Sequence, residues 1–184
     1  AARDALRRLL QDRAVLNDHE VLAEEIKKLQ SLRPDDPLVS EGKGRLGELL
    51  DAKLSEISAA HAWNAGANLI DGYSDLLRQE VLSEKRQRLN AAQNDFERQV
   101  AGLMWRISEA AQAGRADDAH AILGKLMALS PEKGTVAQAR GKVAQAYLAL
   151  AREARAAGRW DEARTMAKEG LERIPDARVA DSFD

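Results

Sequence analysis

Gly42-Lys43-Gly44-Arg45-Leu46-Gly47 spells G-x-G-x-x-G, the spacing that lets a strand-to-helix turn bring backbone N–H groups against a pyrophosphate. That chemistry requires a strand before the glycines. Pro37-Leu38-Val39-Ser40-Glu41 is too short and polar for a central strand, so the motif is expected at the start of a long helix, softening it or allowing another helix close. His19, His61 and His120 have the right side chain for a metal, yet none has a partner at helical i, i+4 spacing, and an internal repeat places them in separate units. Surface or turn histidines are expected instead. Asp35-Asp36, Asp117-Asp118 and Glu24-Glu25 are adjacent carboxylates, but sequence neighbours on a helix do not face one another, and placement in turns and helix starts accounts for them. No G-x-S-x-G turn presents a serine. With no cysteine there is no thiolate nucleophile, thiolate metal site or disulfide framework. These residues assign no catalytic, metal-binding or cofactor-binding role.

Charge and aromatic residues remain. Lys85, Arg86, Arg88, Arg98 and Arg106, and further on Arg140, Lys142, Arg152, Arg155 and Arg159, make two expected helices net basic. They read either as a solvated face balanced by acidic neighbours or as a surface for an acidic peptide or anionic partner. A formal net charge of −2 argues against a general nucleic-acid binder. Trp63, Trp105 and Trp160 are expected as packing anchors between helices, or else as an exposed stacking platform.

The elements that would carry these residues repeat. Ser108 to Pro131 and Ala151 to Pro175 superimpose at an offset of 44 residues, with Gly114 on Gly158, Arg115 on Arg159, Ala119 on Ala163 and Pro131 on Pro175. Pro34 takes the same role in a first unit, where Leu22 and Ile26 fall on Ala119 and Leu123. In a degenerate second unit Gly66, Ile70 and Tyr73 occupy the columns of Leu22, Ile26 and Leu29, and Trp63 shares its column with Trp160. Its closing position, Arg78, lies 53 residues before Pro131, so the third unit holds an insertion of about two and a half helical turns. The units are approximately 1–36, 37–82, 83–131 and 132–175 of a single helical-repeat domain, with 176–184 as a tail.

Within units the apolar residues recur at steps of three and four, as Ala119, Leu123, Leu126 and Met127 do, which predicts helices. Gly114 and Gly158 are expected to end helices in the left-handed conformation, and Asp117-Asp118 and Asp161-Glu162 to lie in the first turn of the next. Ser130-Pro131 and Arg33-Pro34 should close second helices. The pattern predicts helices near 2–15, 18–32, 38–60, 62–78, 83–113, 115–129, 135–157 and 159–173. Between 78 and 83 only Ser83 offers an N-cap, which leaves open a continuous helix there. A hydrophobic content of 45 % suffices for a continuous core, and no apolar run is long enough to span a bilayer. The chain begins at Ala1 without Met, as an excised or processed piece would. The segment is expected to be soluble, in cytoplasm or periplasm.

The last two units resemble the tetratricopeptide repeat. Tyr147 and Leu150 fall on its early large apolar positions, Ala151 on its small position, Gly158 on its turn, Ala163 on its packing alanine and Pro175 on its closing proline. Leu103, Gly114, Ala119, Leu123 and Pro131 match likewise. Arg106 and Ile107 stand where the family prefers leucine and glycine. The period of 44 exceeds the family's period of about 34 because the first helix of each hairpin is extended. The resemblance implies an all-α fold of antiparallel helical hairpins stacked as a short right-handed α-solenoid. It also implies a concave face of first helices, with Met104, Ser108, Ala111, Leu148, Arg152 and Arg155 at its groove positions. Met104 and Leu148 are apolar where members that clamp a partner's terminal carboxylate carry polar residues, so that clamp is absent. The expected function is a noncatalytic scaffold that binds a protein or peptide, acidic in the sharper reading, without nucleic acid, cofactor or membrane insertion. The alternative is an architectural or sensory spacer in a larger multidomain protein, membrane-tethered or not.

Overall fold

The computed structural model describes residues 1–11 and 18–174, and these form eight α-helices and no strand. Helices α1 (Ala2–Gln11), α2 (His19–Leu32), α3 (Pro37–Ala59) and α4 (Trp63–Asp71) are followed by the long α5 (Gln79–Gln112). Helices α6 (Ala116–Ala128), α7 (Lys133–Ala156) and α8 (Trp160–Arg173) complete the series. Pro175 and the expected tail lie outside the described residues, as does the end of the first expected helix. Among the described residues no helix is long and apolar enough to cross a membrane.

The chain divides into two compact units, Ala1–Asp95 and Phe96–Asp184, and α5 contributes its first half to one and its second half to the other. In unit 1, α2 packs on α1 and α3, and α3 packs on α1 and α4; in unit 2, α7 packs on α6 and α8. Each unit has its own core. Leu6, Ile26, Leu46, Leu50, Ile70 and Leu82 are fully buried in the first. Ile107, Ala119, Leu126, Val143, Tyr147 and Ile174 are buried in the second.

The sequence period reappears as helix geometry. His19, Trp63, Ala116 and Trp160 are the first residues of α2, α4, α6 and α8, and they follow one another at the 44, 53 and 44 residues of the repeat. Three positions into these helices stand Leu22, Gly66, Ala119 and Ala163, all buried. The small side chains have a steric cause at one of them, because a Cβ on Gly66 would meet the Leu89 side chain of α5 at 2.9 Å. The insertion is taken up by α5, which has 34 residues where α3 has 23 and α7 has 24. In each unit, neighbouring first helices run side by side and parallel. Arg3 pairs with Asp36 while a Cβ on Gly42 would touch Ile26 and Leu6, and Lys142 bonds Ser108 while a Cβ on Gly114 would meet Leu150.

The turns repeat as closely as the helices. After α5, Arg115 N–H donates to Ala110 O and Gly114 N–H to Ala111 O, with Gly114 at φ +69°. After α7 the same two bonds join Arg159 to Ala154 and Gly158 to Arg155, with Gly158 at φ +74°. These are the paired bonds of a Schellman cap, which ends a helix by satisfying its last carbonyls. His61, at φ +55°, holds the equivalent place after α3. A Cβ on Gly158 would meet nothing within 4 Å, so only the backbone demands glycine there. Gly158→Ala is expected to destabilise unit 2 by about 1 kcal/mol. Gly141→Ala, equally uncrowded but mid-helix in α7, is expected to stabilise it by about 0.5–1 kcal/mol. Thermal unfolding of the two variants checks the opposite signs.

One stretch departs from the expected helices. The predicted 62–78 helix stops at Asp71, because Tyr73, Ser74 and Leu76 N–H groups bond three residues back, to Ile70, Asp71 and Tyr73, and the chain tightens into successive turns. Those turns bury Tyr73, Leu76 and Leu77. The helices on either side are not continuous. Nor does Ser83 cap the next one, which starts four residues earlier, at Gln79.

Candidate binding surface

Met104, Ser108 and Ala111 stand at i, i+4 and i+7 on α5, and Leu148, Arg152 and Arg155 at the same steps on α7, so each trio forms one stripe along its helix. All six lie in unit 2. The stripes differ in how much they present. Met104 and Ala111 are partly buried against the core of the unit. Ser108 donates to Met104 O at 2.9 Å and accepts from Lys142 Nζ at 2.5 Å, so its hydroxyl joins the two helices. Leu148 is half-buried, whereas Arg152 and Arg155 are exposed.

The basic residues sort by partner. Arg45, Arg86, Arg88, Arg115 and Arg159 pair with Glu48, Asp71, Glu84, Asp118 and Glu162 respectively. Lys85, which the sequence placed on a basic face either solvated or open to an acidic partner, is 5 % exposed: its ammonium donates to Gly47 O at 2.8 Å and pairs with Asp51 Oδ1 at 2.7 Å. Burial of an ammonium requires such partners, since an unpaired charge in the interior carries a large desolvation cost. Among the described residues Arg152 and Arg155 have no ion pair.

A polar junction that the sequence did not reveal holds α6, α7 and α8 together behind this surface. Tyr147 O–H donates to Asp117 Oδ1 at 2.8 Å, and Arg173 Nη1 donates to the Tyr147 hydroxyl oxygen at 2.6 Å and to Asp117 as well. The Arg173 guanidinium also lies 5.7 Å from the centre of the tyrosine ring. Burial, and then the bond to the Asp117 carboxylate, push the Tyr147 phenol up to about 12. The same bond, helped by Arg173, holds the Asp117 carboxyl below its usual range. One signal was present in the sequence: Leu6, Leu50 and Leu103 share the repeat column of Tyr147, which alone carries a hydroxyl there.

The other chemistry-bearing residues do not converge. Gly42, Gly44 and Gly47 lie within α3, whose backbone N–H groups are spent on the helix, and Gly42 admits Ile26 of α2. His19 Nδ1 is 2.6 Å from the Tyr73 hydroxyl, and His61 packs at 5.6 Å from the Trp63 ring. Among the described residues no three His, Asp or Glu side chains gather as metal ligands. Trp63 packs against the core of unit 1, but Trp105 and Trp160 are about two-thirds exposed and anchor no packing. No protein-family model matches the chain, and neither a curated protein nor a solved structure shows significant similarity to it.

Proposed function

We propose that the chain is a noncatalytic interaction module, a short right-handed stack of tetratricopeptide-like hairpins, whose unit 2 binds an acidic peptide or partner segment across α5 and α7. The observation that carries this reading is the pair Arg152 and Arg155, exposed, three residues apart on one stripe of α7 beside half-buried Leu148, and without ion pairs among the described residues. An Arg side chain left uncommitted retains its full set of donors for a partner's carboxylates. Half-buried Leu148, four residues before Arg152 on the same helix, supplies apolar contact beside that charge. The stacked-hairpin part of the reading draws on the parallel first helices and on the recurring helix starts.

A fluorescent peptide of alternating Glu and Leu tests the proposal by anisotropy titration of the full chain at low and high salt. Saturable binding that weakens with salt is expected, with much weaker binding of the matching Gln and Leu peptide. Equal affinity for the two peptides would overturn it. The alternative, a structural spacer, is favoured by a separate observation: α5 runs unbroken for 34 residues, roughly 50 Å, and contributes to both compact units. A spacer predicts binding of neither peptide.

A further inference from the structure

Unit 1 contains a cleft of about 670 Å³ between the first part of α3, the turns after Tyr73 and the beginning of α5. That volume lies within the usual range of small-molecule sites. Its walls are of two kinds. Half-buried Val81 and the edges of the nearly buried Val39, Leu76 and Leu77 provide apolar surface, while Lys43, Arg78 and Lys85 bring positive charge. Four of the five carboxylates that line it are engaged, Asp36 by Arg3, Glu48 by Arg45, Asp51 by Lys85 and Glu84 by Arg88, and the fifth, Asp35, has no ion pair among the described residues. Lys43 and Arg78 have no ion pair among the described residues. The Lys85 ammonium has three donors, and Gly47 O and Asp51 take two of them.

Gly44 and Gly47 also line the cleft, and both lie inside α3, where glycine is the poorest residue after proline. Packing does not require either, since a Cβ at each would meet nothing within 4 Å. This separates them from Gly42 of the same motif, whose Cβ would strike Ile26 at 2.9 Å. The two bare positions keep one side of the cleft open. A nucleotide does not suit it, because the glycines sit mid-helix and offer no unspent N–H groups to a phosphate, and the surrounding carboxylates disfavour a multiply charged anion. A single negative charge with an apolar body matches both walls.

We propose that this cleft binds a small aliphatic monocarboxylate, its chain lying over Gly44 and Gly47 between Val39 and Val81, and its carboxylate held by Lys43, Arg78 and the remaining donor of Lys85. The site is independent of the peptide surface in unit 2. Decanoate, kept below its micelle concentration, is titrated into the full ¹⁵N-labelled chain, with decanol as the uncharged probe of the same chain length. Decanoate is expected to move the Gly44 and Gly47 amide resonances saturably, with decanol binding about tenfold more weakly for want of the charge. Gly47→Leu should fill the cleft and abolish the shift at Gly44. Unmoved resonances, equal binding of the two probes, or wild-type binding by Gly47→Leu would each overturn the assignment. Should Gly47→Leu fail to fold, the pair Lys43→Glu and Arg78→Glu decides, because neither side chain is part of the core. Affinity for decanoate about tenfold lower supports the site, and unchanged affinity removes it.

Discussion

Tyr147→Ala is expected to destabilise unit 2 by about 3–5 kcal/mol, and Tyr147→Phe by only about 1 kcal/mol, in chemical or thermal unfolding. The ring is 1 % exposed and packs among Ile107, Ala119 and Val143, so truncation leaves a cavity that the surrounding helices fill only in part. Phenylalanine keeps the ring and removes the hydroxyl, and Asp117 retains Arg173 as its partner. The hydroxyl has a distinct pH signature. Its pKa is about 12 in the fold against 10.0 for the ordinary phenol, so the folded state favours the protonated form. The associated stabilisation is complete below pH 10 and is lost as pH rises towards 12. Asp117 acts at the acid end, where its depressed pKa gives stability that is lost as pH falls through the folded value. Burial also raises the Tyr73 phenol in unit 1, so the alkaline loss should be read from α7 amides by hydrogen exchange. An alkaline loss of protection in α7 that persists undiminished in Tyr147→Phe would remove the hydroxyl from this account.

The parts of this molecule that were legible in the sequence are those fixed by local physics. Gly114 and Gly158 announce helix ends because a left-handed residue is needed there, and the helix starts at Ala116 and Trp160 follow from them. His61 hid the same cap, since a non-glycine residue gives no such signal, and only its place in the repeat aligned it with the two glycines. The end of α4 was illegible for a different reason. Tyr73, Leu76 and Leu77 have spacing that a helix and a run of tight turns both satisfy, and the tertiary burial of all three decides between them. Side-chain partners across elements were beyond reach: Asp117 looked like a helix-start acid and is one, but its bonds to Tyr147 and Arg173 depend on how α6, α7 and α8 pack. Lys85 is the sharpest case. Its neighbours Arg86 and Arg88 pair with carboxylates at the surface as a solvated basic stretch should, while the roughly 100° of helix rotation between Arg86 and Lys85 turns the lysine inward against α3.

Arg152→Glu with Arg155→Glu is expected to weaken binding of the acidic peptide by about tenfold or more and to flatten its salt dependence, with the fold unchanged. The two side chains are three residues apart on α7, near enough for one carboxylate-bearing strand to meet both, and reversal turns attraction into repulsion at each. Neither guanidinium has an ion partner among the described residues, so the substitutions break no internal ion pair. Glutamate forms helix about as well as arginine, and the cost of acids near the C-terminus of α7 is modest, about 0.3–1 kcal/mol. The control is a second double reversal, Arg164→Glu with Lys168→Glu on α8, which changes the net charge by the same amount on exposed residues outside the α5 and α7 stripes. A global field effect would weaken the peptide equally in both double variants. A local site weakens it only when Arg152 and Arg155 are reversed, because at physiological salt the screening length is about 8 Å and charges beyond it contribute little. Equal losses in the two variants, or none in either, would return Arg152 and Arg155 to the status of ordinary solvated side chains.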